Sequence, residues 1–387
     1  MFHRVLSVRF DGVVRRPLLL PPPLLLFFPP PPVSLAPLPL CPLNKLSLKI
    51  ILSMTVAALS VATALAGESD AHGITDPWTH DPVMAYEDGT YHLYCTGPGI
   101  LSMTSCDLHT WDIAKHGVLQ DHIPAWAHDS VPGLRGDLWA PDIIHFCDRW
   151  YLAYSCSTFG KNTSAIGLLS ADRLSDNSGW RDEGCIIASR EGRDNWNAID
   201  PNFVIDDNGQ PWLTYGSFWN GIQLLRLDTT LHAAAGARPF TIARRYAKGS
   251  KALPANPTSD FAGPNAIEAP FIFKHQGWYY LFVSHDYCCR GMKSNYRVVV
   301  GRSRTVTGPY LDREGKSMLD GGGTLVIEGD KKQYEAAGHC AVYHFRLPKK
   351  QKSGDLFICH GYSIKSEGMP KLVVRMVQWN HGWPVLK

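Results

Sequence analysis

The sequence predicts an all-β protein folded as a five-bladed β-propeller. A unit of roughly sixty to seventy residues recurs five times, each unit carries an aromatic-rich strand after a tight turn, and no long stretch of helical periodicity competes. Each unit opens with a polar or acidic residue beside a short apolar run: HDPVMAY at Asp81, WAPDIIHF at Asp142, AIDPNFVI at Asp200, IEAPFIF at Glu268 and GHCAVYHF at His339. The steps between these residues are 61, 58, 68 and 71 positions. The second strands follow as DGTYHLYCTG, DRWYLAYSCS, NGQPWLTYGS, QGWYYLFVSH and SGDLFICHGY, with DG, NG and QG at hairpin positions. Units of this size, built from about four short strands, fit propeller blades whose first strands line a central channel. The five opening residues are then expected at equivalent places, pointing toward one axis.

The N-terminal part is of a different kind. Residues 1–45 form a Pro/Leu-rich low-complexity segment, with 11 of the 28 prolines before residue 46, a density that forbids a helix. Residues 46–66 read as a signal peptide: Lys45 and Lys49 precede the run IILSMTVAALSVATALA, which ends in the small-x-small triplet Ala64-Leu65-Ala66. The run is short for a membrane span and lacks a basic stop. The expected mature body is therefore 67–387, secreted and extracellular, with no membrane attachment after cleavage. Initiation nearer Met54 would put the signal at the N-terminus.

Composition narrows the function. At 45% hydrophobic and 19% charged, 387 residues suffice for a large buried core. The net charge of +3 comes from the first 66 residues, which hold six basic residues against Asp11 alone; the body has 32 basic and 34 acidic residues and no Lys/Arg-dense run, which argues against a nucleic-acid partner. Nine cysteines lie in the body, an odd number, with no C-x-x-C pair. Most sit in apolar strand context and read as buried free thiols. Vicinal Cys288 and Cys289 could pair with each other or stay as two thiols. Asn162-Thr163-Ser164 is a sequon, a candidate glycan close to Phe159.

Converging carboxylates point to glycoside hydrolysis, which needs one carboxylic acid at the leaving oxygen and a second carboxylate at the anomeric carbon. Any single Asp-Pro could merely start a strand. Glu268 is harder to dismiss, because apolar neighbours make its burial costly and raise its pKa, which suits the acid. Asp81, beside His80, is more polar and suits the base. Asp200 can orient the acid and hold its pKa up.

At these motifs the sequence resembles the endo-1,5-α-L-arabinanases of glycoside hydrolase family 43, an inverting family built on a five-bladed propeller. The resemblance runs from about His80 to Trp383 through HDP, TGPGI, SCDLHTW, WAPD, STFG, SAIGL, NAIDPN, YGSFWNGI, AIEAP, HDYCCRG, VGRS, TGPY, GGGT and QWNHGWP. It implies a secreted glycosidase, monomeric, that cleaves internal α-1,5-L-arabinofuranosyl linkages of arabinan in pectin side chains. By residue it implies Asp81 as general base, Glu268 as general acid and Asp200 as the orienting, pKa-modulating carboxylate. It also implies that His339 helps hold an active-site metal ion, calcium or sodium, through water, and that Trp139, Phe159, Asn197 and Ser217 line the substrate groove. The family's usual Gly-Pro-Gly-His before the metal site stands here as Ala336-Ala337-Gly338-His339. Alternatives are an exo-acting α-L-arabinofuranosidase or β-xylosidase on the same scaffold, a retaining β-fructosidase, and a non-catalytic carbohydrate-binding propeller.

Overall fold

The computed structural model describes residues 71–119, 122–250, 262–345 and 354–387. The Pro/Leu-rich segment 1–45 and the signal 46–66 lie outside the described residues.

Among the described residues there are five antiparallel sheets, as the repeat predicted. The first comprises β1 (Ala71–Ile74), β2 (Val83–Glu87), β3 (Thr90–Cys95), β5 (Leu101–Ser105) and β6 (Trp111–Ile113); the two-residue β4 (Gly97–Pro98) leaves it to pair with the next sheet. The second holds β7 (Asp137–Phe146), β8 (Arg149–Cys156), β9 (Ser164–Ala171) and β10 (Arg181–Ser189), after a short helix α1 (Ala125–Ser130). The third runs β11 (Asn202–Ile205), β12 (Pro211–Tyr215), β13 (Ile222–Arg226), β14 (Phe240–Ala243). The fourth is β15 (Ile267–His275), β16 (Trp278–His285), β17 (Arg297–Ser303), β18 (Thr324–Ile327), and the fifth β19 (Tyr334–Phe345), β20 (Gly354–Ser363), β21 (Met369–Asn380), β22 (Trp383–Leu386).

The first hairpin turns carry the expected chemistry. Asp88-Gly89 and Gln276-Gly277 have both central residues at positive φ, the twist that joins two antiparallel strands without splaying them. In the second sheet Cys147-Asp148 adopts the same conformation without glycine. Among the described residues the first and last sheets exchange no strand. Inner strands β19 and β2 pack together, the Met84 N–H donates to the Tyr343 hydroxyl at 2.9 Å, and Trp78 forms an isolated bridge with Lys371.

The inner strands share a kink that corrects one expectation. Asp81, Ala140, Asp200, Ala269 and His339 all have φ between 42° and 58°, each just ahead of the straight part of its inner strand. These five residues are the equivalent ones. Asp142 therefore does not occupy the position of Asp81; Ala140 does, and it brings no functional group. Glu268 stands one residue ahead of its equivalent. The mismatch was hidden because an acidic residue and a proline recur in each of the first four motifs, but the proline, not the acid, keeps the register. Asp142 is buried and accepts hydrogen bonds from the Phe203 N–H (2.7 Å) and the Asn202 amide (3.2 Å), tying the second blade to the third. Asn202 repeats the device toward the fourth, its Oδ1 accepting from the Ile272 N–H at 2.8 Å.

A second cross-blade series holds the kinks in place. Thr96, Ser155, Ser284 and His360 sit at the end of the second strand of their blades. Each accepts the N–H of the kinked residue in the next: Ala140 (2.9 Å), Asp200 (3.0 Å), His339 (2.9 Å) and Asp81 (3.1 Å). The fifth place is Gly216, which has no side chain and, at φ 130°, would bring a Cβ against the Gly221 carbonyl. There the Ala269 N–H is taken by Asp200 Oδ2 at 3.0 Å. One break in a repeated pattern thus draws a carboxylate across to the strand that carries Glu268.

Candidate active site

A cavity of about 470 Å³ opens where the kinked residues converge. Asp81, Asp200, Glu268, His339, Trp139, Phe159, Asn197 and Ser217 all line it, so every residue given a catalytic, metal or groove role from the sequence reaches one site, whereas Asp142 does not. Their local roles differ. Phe159 is 73% exposed, an apolar face standing free at the rim. Asn197 is buried, its carbonyl oxygen accepting from Ser164 Oγ at 2.7 Å. The Ser217 hydroxyl is donated to Glu268 Oε2 at 2.7 Å, so Ser217 positions that carboxyl as well as lining the cavity.

Asp81 sits among imidazoles. His339 Nδ1 lies 2.9 Å from its Oδ1; His80 Nδ1 lies 2.8 Å from Oδ2, to which the Thr96 hydroxyl also donates at 2.6 Å. The third imidazole, His360, accepts the Asp81 N–H through Nδ1 and stacks on His80 with centroids 4.0 Å apart. Burial works against ionisation of Asp81, but the charges of His80 and His339 together with their hydrogen bonds outweigh it and hold the carboxyl well below its usual range. Burial likewise opposes protonation of the two partner imidazoles, and the Asp81 charge overrides it in both, raising their pKa values. His360 goes the other way, pushed down by burial and by the neighbouring His80 charge.

The other corner is dry. Glu268 is raised by burial and by the neighbouring Cys289, against the hydrogen bonds of Ser217 and of the Tyr296 hydroxyl. Asp200 is pushed up to about 8 by burial, with the Glu268 charge adding to the rise. The two carboxyls therefore hold at least one proton near neutrality. Tyr296 lies flat behind this corner, and a Cβ on Gly338 would overlap its ring, which is why that glycine precedes His339. The proximity of opposed environments gives the site both an ionised carboxylate and a proton-bearing one, the pair that acid/base hydrolysis of a glycoside needs.

Three contributors were not singled out from the sequence, His360, Thr96 and Tyr296, and Cys289 was noted there only as one of a vicinal pair. The first two occupy the same position of the repeat as Ser155 and Ser284, so aligning the second strands by their hairpins would have found them. No local signal marks Tyr296. The Asn162 sequon is a further correction: its side chain is fully buried and its amide donates to the backbone carbonyls of Asp194 (2.8 Å) and Trp196 (3.1 Å), so the folded chain does not present it for glycosylation.

Comparison with known proteins agrees with this geometry. The model of glycosyl hydrolases family 43 matches residues 74–384. The chain belongs to glycosyl hydrolase family 43. It is 36% identical over 332 residues to the extracellular endo-α-(1→5)-L-arabinanase 1 of Bacillus subtilis (strain 168), covering 85% of this chain and 94% of that protein. Among solved structures it is similar to an exo-1,5-α-L-arabinanase from a bovine ruminal metagenomic library, with TM-score 0.72 and 47% identity over 81% of this chain and 98% of the other. The Cellvibrio cellulosa α-L-arabinanase complexed with arabinohexaose matches with TM-score 0.72 and 38% identity over 81% and 96% of the two chains. As a family 43 member the protein is a glycosidase on a five-bladed propeller.

Proposed function

We propose that this family 43 enzyme is a secreted endo-1,5-α-L-arabinanase that hydrolyses internal linkages of arabinan with inversion. The observation that carries the chemistry is the contrast across one cavity between ionised Asp81 and the proton-bearing pair Asp200 and Glu268. Asp81 receives His339, His80 and Thr96 on its two oxygens; a carboxylate offers about four lone-pair sites, which leaves one for a water. That water attacks the anomeric carbon as its proton passes to Asp81. Glu268, held by Ser217 and Tyr296, gives its proton to the departing sugar oxygen. The oxocarbenium-like transition state asks little basicity of Asp81, so a carboxylate with a depressed pKa still serves. Asp200 orients this corner through Ala269 and, by like-charge repulsion with Glu268, helps keep a proton within the pair.

A cation belongs to the same reading. His339 Nδ1 is committed to Asp81, which leaves Nε2–H to reach an ion through one of its waters. One imidazole nitrogen beside Asp81 and Asp200 fits a hard ion, calcium or sodium, that keeps most of its waters. Among the described residues the one three-member donor cluster is His80, Asp81 and His360, whose atoms already serve one another. The cation would supply positive field near the carboxylates.

The exo-acting alternative has its own support in the 47% identity to the ruminal exo-1,5-α-L-arabinanase. Product sizes from linear 1,5-arabinan separate the two. Endo cleavage yields a spread of oligosaccharides with an early fall in viscosity; a single small product from the first minutes overturns it. The extracellular relative and the signal-like run at 46–66 support secretion, which N-terminal sequencing of exported protein checks by finding a start near Gly67.

A further inference from the structure

Cys289, His80 and Asp81 form a row along the cavity wall, and the hydrolytic reading uses its carboxylate and imidazole but not its thiol. The Cys289 sulfur lies 3.8 Å from His80 Nε2, and His80 Nδ1 faces Asp81 Oδ2 at 2.8 Å. A thiol, an imidazole and a carboxylate in that order are the parts of an activated sulfur nucleophile: the ring nitrogen accepts the thiol proton while the carboxylate fixes the ring. The row is braced. The Tyr362 hydroxyl lies 3.1 Å from His80 Nε2 and accepts the Cys289 N–H at 2.7 Å, holding Cys289 at φ +62°. The adjacent thiol, Cys288, hydrogen-bonds to Cys289 and also lines the cavity. Both are free thiols.

We propose that Cys289 is a site of oxidation by small hydroperoxides entering the sugar cavity, with Cys288 as the resolving thiol, and that the resulting vicinal disulfide slows hydrolysis. In the first step the Cys289 thiolate attacks the distal peroxide oxygen; the S–O bond forms, the O–O bond breaks, and the departing oxygen takes the proton held by His80 and leaves as water from hydrogen peroxide or as an alcohol from an organic hydroperoxide. In the second, the Cys288 sulfur attacks the sulfenic sulfur of Cys289; the S–S bond forms, the S–O bond breaks, and a water leaves. Two thiols are oxidised and one peroxide is reduced. A reactive, accessible thiol beside a resolving one is the arrangement such chemistry requires. The Cys288 hydrogen bond and His80 hold the Cys289 thiol down to about 5 against burial, while Cys288 itself is pushed up, which separates attacking from resolving sulfur. Bonding to Cys288 draws the Cys289 sulfur away from His80, and His80 touches the carboxylate proposed as base.

The experiment treats the reduced full-length enzyme with stoichiometric hydrogen peroxide and maps thiols by mass spectrometry. The expected result is a two-hydrogen mass loss on the peptide carrying Cys288 and Cys289, ahead of any change at exposed Cys106 and Cys147. In Cys288→Ser the resolving step is lost, and dimedone should trap Cys289 as its sulfenic acid. Arabinan turnover should fall about tenfold or more on oxidation, as the base is disturbed. It should return with a phosphine reductant, and Cys289→Ser should show no such peroxide-dependent change. Oxidation of Cys106 and Cys147 before the pair, or no dimedone adduct at Cys289, overturns the site. Disulfide formation with unchanged turnover overturns the inhibitory half. The mass readout does not depend on arabinan being the substrate, so failure here and failure of the arabinanase reading are distinguishable.

Discussion

The two corners of the cavity hold the same chemical group and prepare it oppositely. At Asp81 both oxygens receive donors, and two of the partners are imidazoles whose charge outweighs burial. At Glu268 the partners are neutral hydroxyls, and burial wins. The comparison teaches that depth alone does not set protonation here: both carboxyls are less than a tenth exposed. What decides is whether the neighbours can carry positive charge.

Removing either carboxyl should have the largest effect. Asp81→Ala or Glu268→Ala is expected to lower kcat by about 10²–10⁴-fold or more with the circular dichroism spectrum unchanged. Azide should then tell the corners apart, since rescue of Asp81→Ala as a glycosyl azide of inverted configuration fits a lost base. A first-formed sugar of retained configuration, seen by NMR before mutarotation, would refute the contrast in roles.

Asp200→Asn comes next. It keeps an acceptor for the Ala269 N–H but removes one of the two carboxyls whose like charges hold a proton between them. The acid's pKa should fall, so the alkaline limb of the pH profile should move to lower pH. An unmoved limb would mean that Asp200 only positions.

His80→Gln tests the opposite corner with the opposite sign. Without that cationic neighbour the Asp81 pKa rises toward its ordinary value, and the acid limb should move to higher pH while the alkaline limb stays. His339→Gln should move the acid limb the same way, should also raise the alkaline limb because the His339 charge lowers Glu268 and Asp200 as well, and should abolish the loss of melting temperature that chelation causes in the parent.

The smallest effect concerns a buried carboxyl that serves neither corner, Asp142. Burial pushes Asp142 up to about 7 even though Phe203 and Asn202 donate to it. A group raised on folding stabilises most below its unfolded value near 3.8 and loses that contribution as pH rises through the folded value. Parent stability should therefore decline between about pH 4 and 7, and part of that decline should be missing in Asp142→Asn, as thermal melts across the range can show.

How much of this was legible differs from residue to residue. The five-unit repeat, the hairpin dipeptides and the convergence of Asp81, Asp200, Glu268 and His339 follow from sequence, because strand alternation and turn chemistry are local and recur with the unit. Trp139, Phe159, Asn197 and Ser217 reached the cavity through a resemblance carried by their motifs. The equivalence of Asp142 with Asp81 did not survive, since a shift of one or two residues at a kink is set by backbone conformation that composition does not reveal. Nor could sequence foretell that Ser217 donates to Glu268, that Asn162 spends its amide on the backbone, or that three histidines from the first and fifth blades surround one aspartate. Those facts depend on which side chains meet across blade boundaries, some separated by more than 250 residues, and electrostatics at such short range is decided by tertiary contact alone.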